Sequence, residues 1–282
     1  LPNGLNGEGP ISLNTRLREG LSTLPVPGSD RWIVRPLSTR ERGEAVFSME
    51  LIAERTEAAP FRAGQSVALS FPGEGILSRA RLAPIASGPG RRDRLEFCFR
   101  DSDDWTLTLR ERLESIALNG SRPIKARISR PSGSFFLDNG SSVLRHVFIA
   151  EGMGAVPFFS MISDLVQKDK TRGRLLFIWG AQTRKEFFGL DRLESDILRM
   201  EDARFIPILS HDPLWKGEKG EIDAGLLDKL VPEGFGMGKE VFEWALPSWF
   251  ISGSREFVRT TRRILRERGA LSAAIRSTSG RA

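Results

Sequence analysis

A change of hydrophobic period divides this chain. From Trp32 to about residue 130, apolar residues recur at every second position. Phe47, Met49 and Leu51 alternate with Ser48 and Glu50. Val67, Leu69 and Phe71 alternate with Ala68 and Ser70. Leu95, Phe97 and Phe99 alternate with Glu96 and Cys98, and Ile124, Ala126 and Ile128 alternate with Lys125 and Arg127. Each segment predicts a strand with one buried face, and several in succession predict a small antiparallel barrel. One helix interrupts them. Trp105, Leu109, Leu113 and Ile116 share a helical face, and Asp103 or Asp104 can cap its start.

Beyond the turn-rich joint Asp138–Ser142 the pattern becomes strand, helix, strand. The runs Val147–Ala150, Leu175–Trp179, Phe205–Leu209 and Trp249–Ile251 are apolar on both faces. Helical segments over Phe158–Leu165, Leu190–Met200, Ile222–Leu230 and Phe257–Arg268 follow them. That alternation predicts a parallel, doubly wound sheet. Pro207 argues for a strand start or an edge. Gly234–Gly238 reads as a loop.

The stretch from His146 to Met161 joins an apolar strand to a helix through Gly152 and Gly154, with Pro157 in the first helical turn. A glycine turn between strand and helix lets backbone N–H groups meet a phosphate; a plain strand–turn–helix has the same pattern.

At 282 residues there is room for two domains. The net charge of +6 favours anionic partners, but no basic block argues for nucleic acid. The single cysteine, Cys98, excludes an intrachain disulfide and a four-cysteine iron–sulfur site, and two histidines are too few for a histidine-based metal site. No apolar run is long enough to cross a bilayer, and no signal-peptide pattern opens the chain. A cytoplasmic or organellar soluble compartment is expected; because the first residue is Leu1, a preceding segment stays open.

Several motifs together resemble the ferredoxin–NADP reductase family over roughly residues 30 to 270. Phe61-Arg62-Ala63-Gly64-Gln65 resembles its F-x-x-G-Q. Arg81-Leu82-Ala83-Pro84-Ile85-Ala86-Ser87 resembles its flavin motif R-x-Y-[S/T]-I-A-S, and Pro131-Ser132-Gly133-Ser134-Phe135 its P-x-G-x-F. Glu151 to Pro157 resembles the pyridine-nucleotide loop G-x-G-x-x-P. Ser210 to Gly220 resembles a later loop S-x-x-x-x-W-x-G-x-x-G, and Ser252-Gly253-Ser254 the C-G-P turn.

The resemblance implies an antiparallel six-stranded FAD-binding barrel over residues 30–140 and an NAD(P)-binding doubly wound domain over 141–270. Residues 1–29 are expected to be a mobile lead-in and 271–282 a flexible tail. FAD is expected against Arg81–Ser87, Trp105 and Thr106, with Asp103 and Asp104 pointing away from its phosphates. NAD(P)H is expected at Gly152, Gly154, Pro157, Arg184, Ser210 and Gly253, with Ser252 in the catalytic position beside the nicotinamide. Arg184 and Lys185 suit either a 2′-phosphate site or an exposed charged loop, and His211 stands where NADP-specific relatives often have Arg. Three positions depart from the family: Ala83 for its ring-covering aromatic, Pro84 for its hydroxyl near flavin N5, and Ser252 for its cysteine.

Three readings follow. One is an oxidoreductase moving electrons from NAD(P)H through FAD to a redox protein or small acceptor. Another is a non-catalytic flavin- or nucleotide-binding module that keeps the fold and regulates or scaffolds a partner, and the last is the detached reductase half of a larger electron-transfer chain.

Overall fold

A computed structural model of the chain describes residues 32–38, 46–54, 58–138, 145–168, 174–235 and 242–280. The expected lead-in, the joint at 139–142 and residues 236–238 of the Gly-rich stretch lie outside these.

The first part is an antiparallel sheet of six strands: β1 (Trp32–Ser38), β2 (Val46–Ala53), β3 (Ser66–Ser70), β4 (Arg81–Pro84), β5 (Arg94–Arg100) and β6 (Lys125–Ile128). Their order is β4-β3-β6-β1-β2-β5. The two ends meet just past β4, where the Ala86 N–H donates to the Glu96 carbonyl at 2.8 Å. The period-two residues line the interior as expected: Met49, Leu51, Val67, Leu69, Leu95 and Phe97 are all buried in one core. Glu50 departs from the pattern. It is buried on the face assigned to solvent, because Arg35 and Arg94 reach it from neighbouring strands. Helix α1 (Asp104–Asn119) starts at Asp103, as its capping signal requires, and adds Trp105, Leu109 and Leu113 to the core.

The second part is a parallel sheet: β7 (Arg145–Glu151), β8 (Arg174–Ala181), β9 (Asp202–Leu209), β10 (Glu218–Lys219), β11 (Ser248–Gly253) and β12 (Ile275–Ser279), in the order β10-β9-β8-β7-β11-β12. Both faces are covered, which is why its strands read as continuous apolar runs. Phe148, Phe177 and Trp179 pack under α2 (Val156–Gln167) and α3 (Leu190–Leu198). Val147, Ile149, Leu176 and Ile178 pack under α4 (Ala224–Gly234) and α5 (Arg255–Glu267). Among the described residues Pro207 sits where only β8 flanks β9, since β10 pairs with Ile208 and Leu209.

Two expectations change. Gly234 belongs to the end of α4 rather than a loop, packed against the Leu176 side chain. The flexible tail assigned to 271–282 is instead structured over its described residues. β12 extends the sheet in parallel with β11, and Arg276 donates to the Phe136 carbonyl at 2.7 Å and to the Asp138 carboxylate. The tail looked frayed because β12 has one apolar residue, Ile275; its pairing comes from backbone bonds and one arginine.

Candidate functional site

The sheet order reverses at β7, which has β8 on one side and β11 on the other. In open parallel sheets the crevice beyond the strand ends at such a point is the binding site. The turn Gly152–Ala155 and the end of β11 both lie there. Gly152 has φ +51°, a left-handed conformation that favours glycine. Gly154 is needed for a different reason: a Cβ on it would sit 2.2 Å from the Ser252 carbonyl oxygen. The two loops therefore touch backbone to backbone. Glu151 strengthens the contact, accepting from the Ser254 N–H at 2.9 Å. Pro157 occupies the first turn of α2, where its missing N–H costs nothing. Ser252 is buried, and Gly253 packs between Phe257 and Glu151.

Arg184 stands in the short turn Arg184–Glu186 after β8. Its Nε donates to Asp212 at 2.7 Å, and its guanidinium lies over the Trp215 ring at 5.1 Å. Asp212 is only 18% exposed in this pair. Ser210 shares a hydrogen bond with His211 Nδ1 at 2.8 Å.

On the barrel side, Arg81 is at the start of β4, beside the first turn of α1. Its Nη1 donates to both oxygens of Asp103, at 2.8 and 2.6 Å, and its guanidinium lies 5.3 Å from the Trp105 ring. Asp103 also accepts the Thr106 N–H at 2.9 Å, while the Thr106 hydroxyl accepts from the backbone N–H groups of Asp103 and Ser102. Burial pushes the Asp103 carboxyl up, but the Thr106 N–H and the Arg81 guanidinium outweigh it and hold the group below the usual carboxylate range.

The expectation that Asp103 points away from the anion site is thus corrected, because a carboxylate at this position satisfies both the helix N-terminus and Arg81. Thr106 is correspondingly a partner in a capping box, and its backbone N–H is already taken. Trp105 is a core residue whose Nε1 donates to the Arg79 carbonyl at 3.2 Å.

The rest of the motif alternates. Leu82 is 63% exposed, whereas Ala83 is 1% exposed in the barrel core. Pro84 is half-buried opposite Ser66. Ile85 is fully buried, and Ala86 and Ser87 bond to Glu96 of β5.

The segment Arg81–Ser87 and helix α2 meet across the two sheets. Ser160 of α2 donates to the Ser87 carbonyl at 2.7 Å in a buried bond. Arg100 donates to Glu186 at 2.5 Å, and Arg192 binds Glu96. Cys98 lies near this seam; burial first, then Glu96, pushes its thiol up to about 12, so it is protonated at neutral pH. Among the described residues no group of three His, Cys, Asp or Glu could hold a metal ion. No described helix is long and apolar enough to cross a membrane.

Residues 148–262 match the model of the oxidoreductase NAD-binding domain. The fold is shared with a ferredoxin NADP+ reductase from Neisseria gonorrhoeae solved with bound FAD and NADP, at a TM-score of 0.70 over 89% of this chain and 98% of that one, with 18% identity. The chain thus matches an oxidoreductase NAD-binding domain and shares the fold of ferredoxin–NADP reductase-like proteins. The reductase component DmpP of phenol 2-monooxygenase from Pseudomonas sp. (strain CF600) is 31% identical over 57% of this chain and 44% of its own length. A CDP-6-deoxy-L-threo-D-glycero-4-hexulose-3-dehydrase reductase from Yersinia pestis is 25% identical over 67% of this chain and 53% of its own. The chain spans about half or less of the length of these curated relatives.

Three contributors escape a reading of the sequence. Asp212 and Trp215 hold Arg184, and Glu151 ties the two loops at the switch point. Asp212 and Trp215 fall within the Ser210–Gly220 motif and Glu151 opens the Glu151–Pro157 loop, but motif order does not show their contacts, which join residues 28 to 103 positions apart.

Proposed function

We propose that this chain is a flavin-dependent reductase that takes electrons from NADH through FAD to a separate acceptor. The observation that carries the reading is the buried Ser160–Ser87 hydrogen bond, which ties the helix after the nucleotide turn to the end of the flavin motif. When bound, the two cofactors supply the hydride chemistry; the chain supplies alignment and exclusion of water.

Arg81 is the anchor for the flavin pyrophosphate. Among the described residues only its Nη1 is hydrogen-bonded, so Nε and Nη2 remain to bind a phosphate while Asp103 stays in place. The donor set therefore fits the anion, with the helix N-terminus already used by Asp103. Leu82 and Pro84, the exposed and half-buried residues on the outer face of the same segment, form the adjoining wall, apolar and without a hydroxyl at Pro84. Gly152, Gly154 and Pro157 shape the nucleotide pocket, with Ser252 and Gly253 closing it from β11. Asp212 neutralises Arg184 and opposes a 2′-phosphate near Ser210, which favours NADH over NADPH.

A second reading, a module that keeps the fold without turnover, draws on the Arg81–Asp103 pair, which weakens flavin binding. Dialysis of the full chain against FAD separates them. The reductase retains stoichiometric flavin absorbance after free FAD is removed; a chain that remains colourless at saturating FAD contradicts the proposal.

A further inference from the structure

The last helix carries charge out of proportion to its length. Between Arg255 and Glu267, α5 has five arginines, Arg255, Arg259, Arg262, Arg263 and Arg266, against the two glutamates Glu256 and Glu267. Four of them, at 255, 259, 262 and 266, repeat at helical spacing and form one stripe. The stripe borders the buried face made by Val258, Thr261 and Leu265, so it runs alongside the sheet. With Val258, Arg263, Glu267 and Ser279 it lines a groove of about 590 Å3.

Little acid offsets this charge. Glu267 meets Arg263 at 2.8 Å, and Glu256 is 3.8 Å from Arg259. Among the described residues no carboxylate lies within ion-pair distance of Arg255, Arg262 or Arg266. Arg262 reaches Ser277 of β12 at 3.3 Å, which joins the stripe to the last strand.

Among the described residues β12 is also the edge of the parallel sheet, paired with β11 alone. Edge strands normally carry proline, a bulge or free charges that deter pairing. β12 reads Ile-Arg-Ser-Thr-Ser and pairs in unbroken register; its one charge, Arg276, is engaged with Phe136 and Asp138. The edge is therefore open to an added strand.

The dimensions agree. The eleven helical steps from Arg255 to Arg266 rise about 16 Å. A strand covers that distance in about five residues, and β12 is five residues long. Side chains on one strand face recur every ~6.6 Å, close to the ~5.4 Å helical turn that separates successive arginines.

We infer that α5 and β12 form a docking surface for an acidic, extended protein segment. The segment adds to β12 as a seventh strand and turns the carboxylates of alternate residues toward Arg255, Arg259, Arg262 and Arg266. A polynucleotide would answer the stripe but not the edge, since a phosphodiester has no N–H to donate to the strand's carbonyls. The surface uses no residue of the flavin or nucleotide motifs, so it stands apart from the proposed reaction.

The test is fluorescence anisotropy with the full chain and a labelled peptide of about twelve residues alternating Glu and Thr, at physiological salt. Two further probes are the same peptide N-methylated at alternate residues and a single-stranded oligonucleotide of equal charge. The variant is Arg255→Glu/Arg259→Glu/Arg266→Glu, all on the exposed side of α5, with a melting curve to confirm folding. Saturable binding of the plain peptide is expected, weakened at least about tenfold by the variant and by N-methylation. No saturable binding, equal binding by a folded variant, or equal affinity for the N-methylated peptide or the oligonucleotide would overturn the inference. Should the triple variant unfold, Arg259→Ala/Arg266→Ala serves with the same criteria.

Discussion

Arg81 and Asp103 are joined at two points, Nη1 to Oδ1 at 2.8 Å and Nη1 to Oδ2 at 2.6 Å, where the flavin motif meets the first turn of α1. The chain's own carboxylate thus occupies the helix N-terminus, a position suited to an anion. Asp103 supports Arg81 and at the same time repels a phosphate.

FAD affinity should report both effects. Asp103→Asn keeps the cap and removes the charge, so it should tighten FAD binding about three- to tenfold, on the order of 1 kcal/mol for a partly exposed charge. Arg81→Ala should weaken binding by more than tenfold, whereas the exposed Arg91→Ala should not change it. Titration of the apoprotein with FAD, followed by flavin fluorescence, measures all three. Equal dissociation constants for the parent and Asp103→Asn would remove Asp103 from the site.

The same pair gives an acid limb to stability. The Asp103 carboxyl is held below its unfolded value of about 3.9. A group lowered on folding contributes fully above its unfolded pKa and loses that contribution as pH falls through the folded one. Asp103→Asn should therefore melt below the parent at pH 6, with the gap closing as pH drops below about 4. Melting curves across that range check it; a gap that widens toward low pH would reverse the sign.

Nucleotide choice should respond to Asp212. Freeing Arg184 by Asp212→Asn should shift preference toward NADPH by about tenfold, the scale of one charge-assisted contact. Dissociation constants for 2′-phospho-AMP and AMP measure this without turnover. An unchanged ratio would show that Arg184 does not face the 2′ position.

Arg276 should matter to folding although it lies near the chain's end. Arg276→Ala removes the contacts to Phe136 and Asp138. The pair is partly exposed, so the loss should be roughly 1–2 kcal/mol and a few degrees in melting temperature. Parent-like melting would return residues 275–280 to a passive role.

Much of the fold was legible because burial sets hydrophobic period. The barrel strands showed through Phe47–Leu51 and Leu95–Phe99, and the parallel strands through runs such as Leu175–Trp179. Short or polar strands did not show: β4 has four residues and includes Pro84, β10 has two, and β12 is Ile-Arg-Ser-Thr-Ser. At the site, glycines and motif order were visible, but charge pairing was not. Asp103 is 22 residues from Arg81 and Asp212 is 28 from Arg184, and only the folded chain brings either pair together. Ala83 was legible as a departure, but not as a core position: at 1% exposure it faces inward, so a tyrosine there would overpack the barrel.

Anaerobic mixing of the FAD-loaded chain with NADH, followed by absorbance near the flavin maximum, tests the central claim most directly. The account predicts that NADH bleaches the bound flavin, that NADPH does so more slowly, and that air restores the colour. Flavin that stays bound and oxidised with both nucleotides would contradict it.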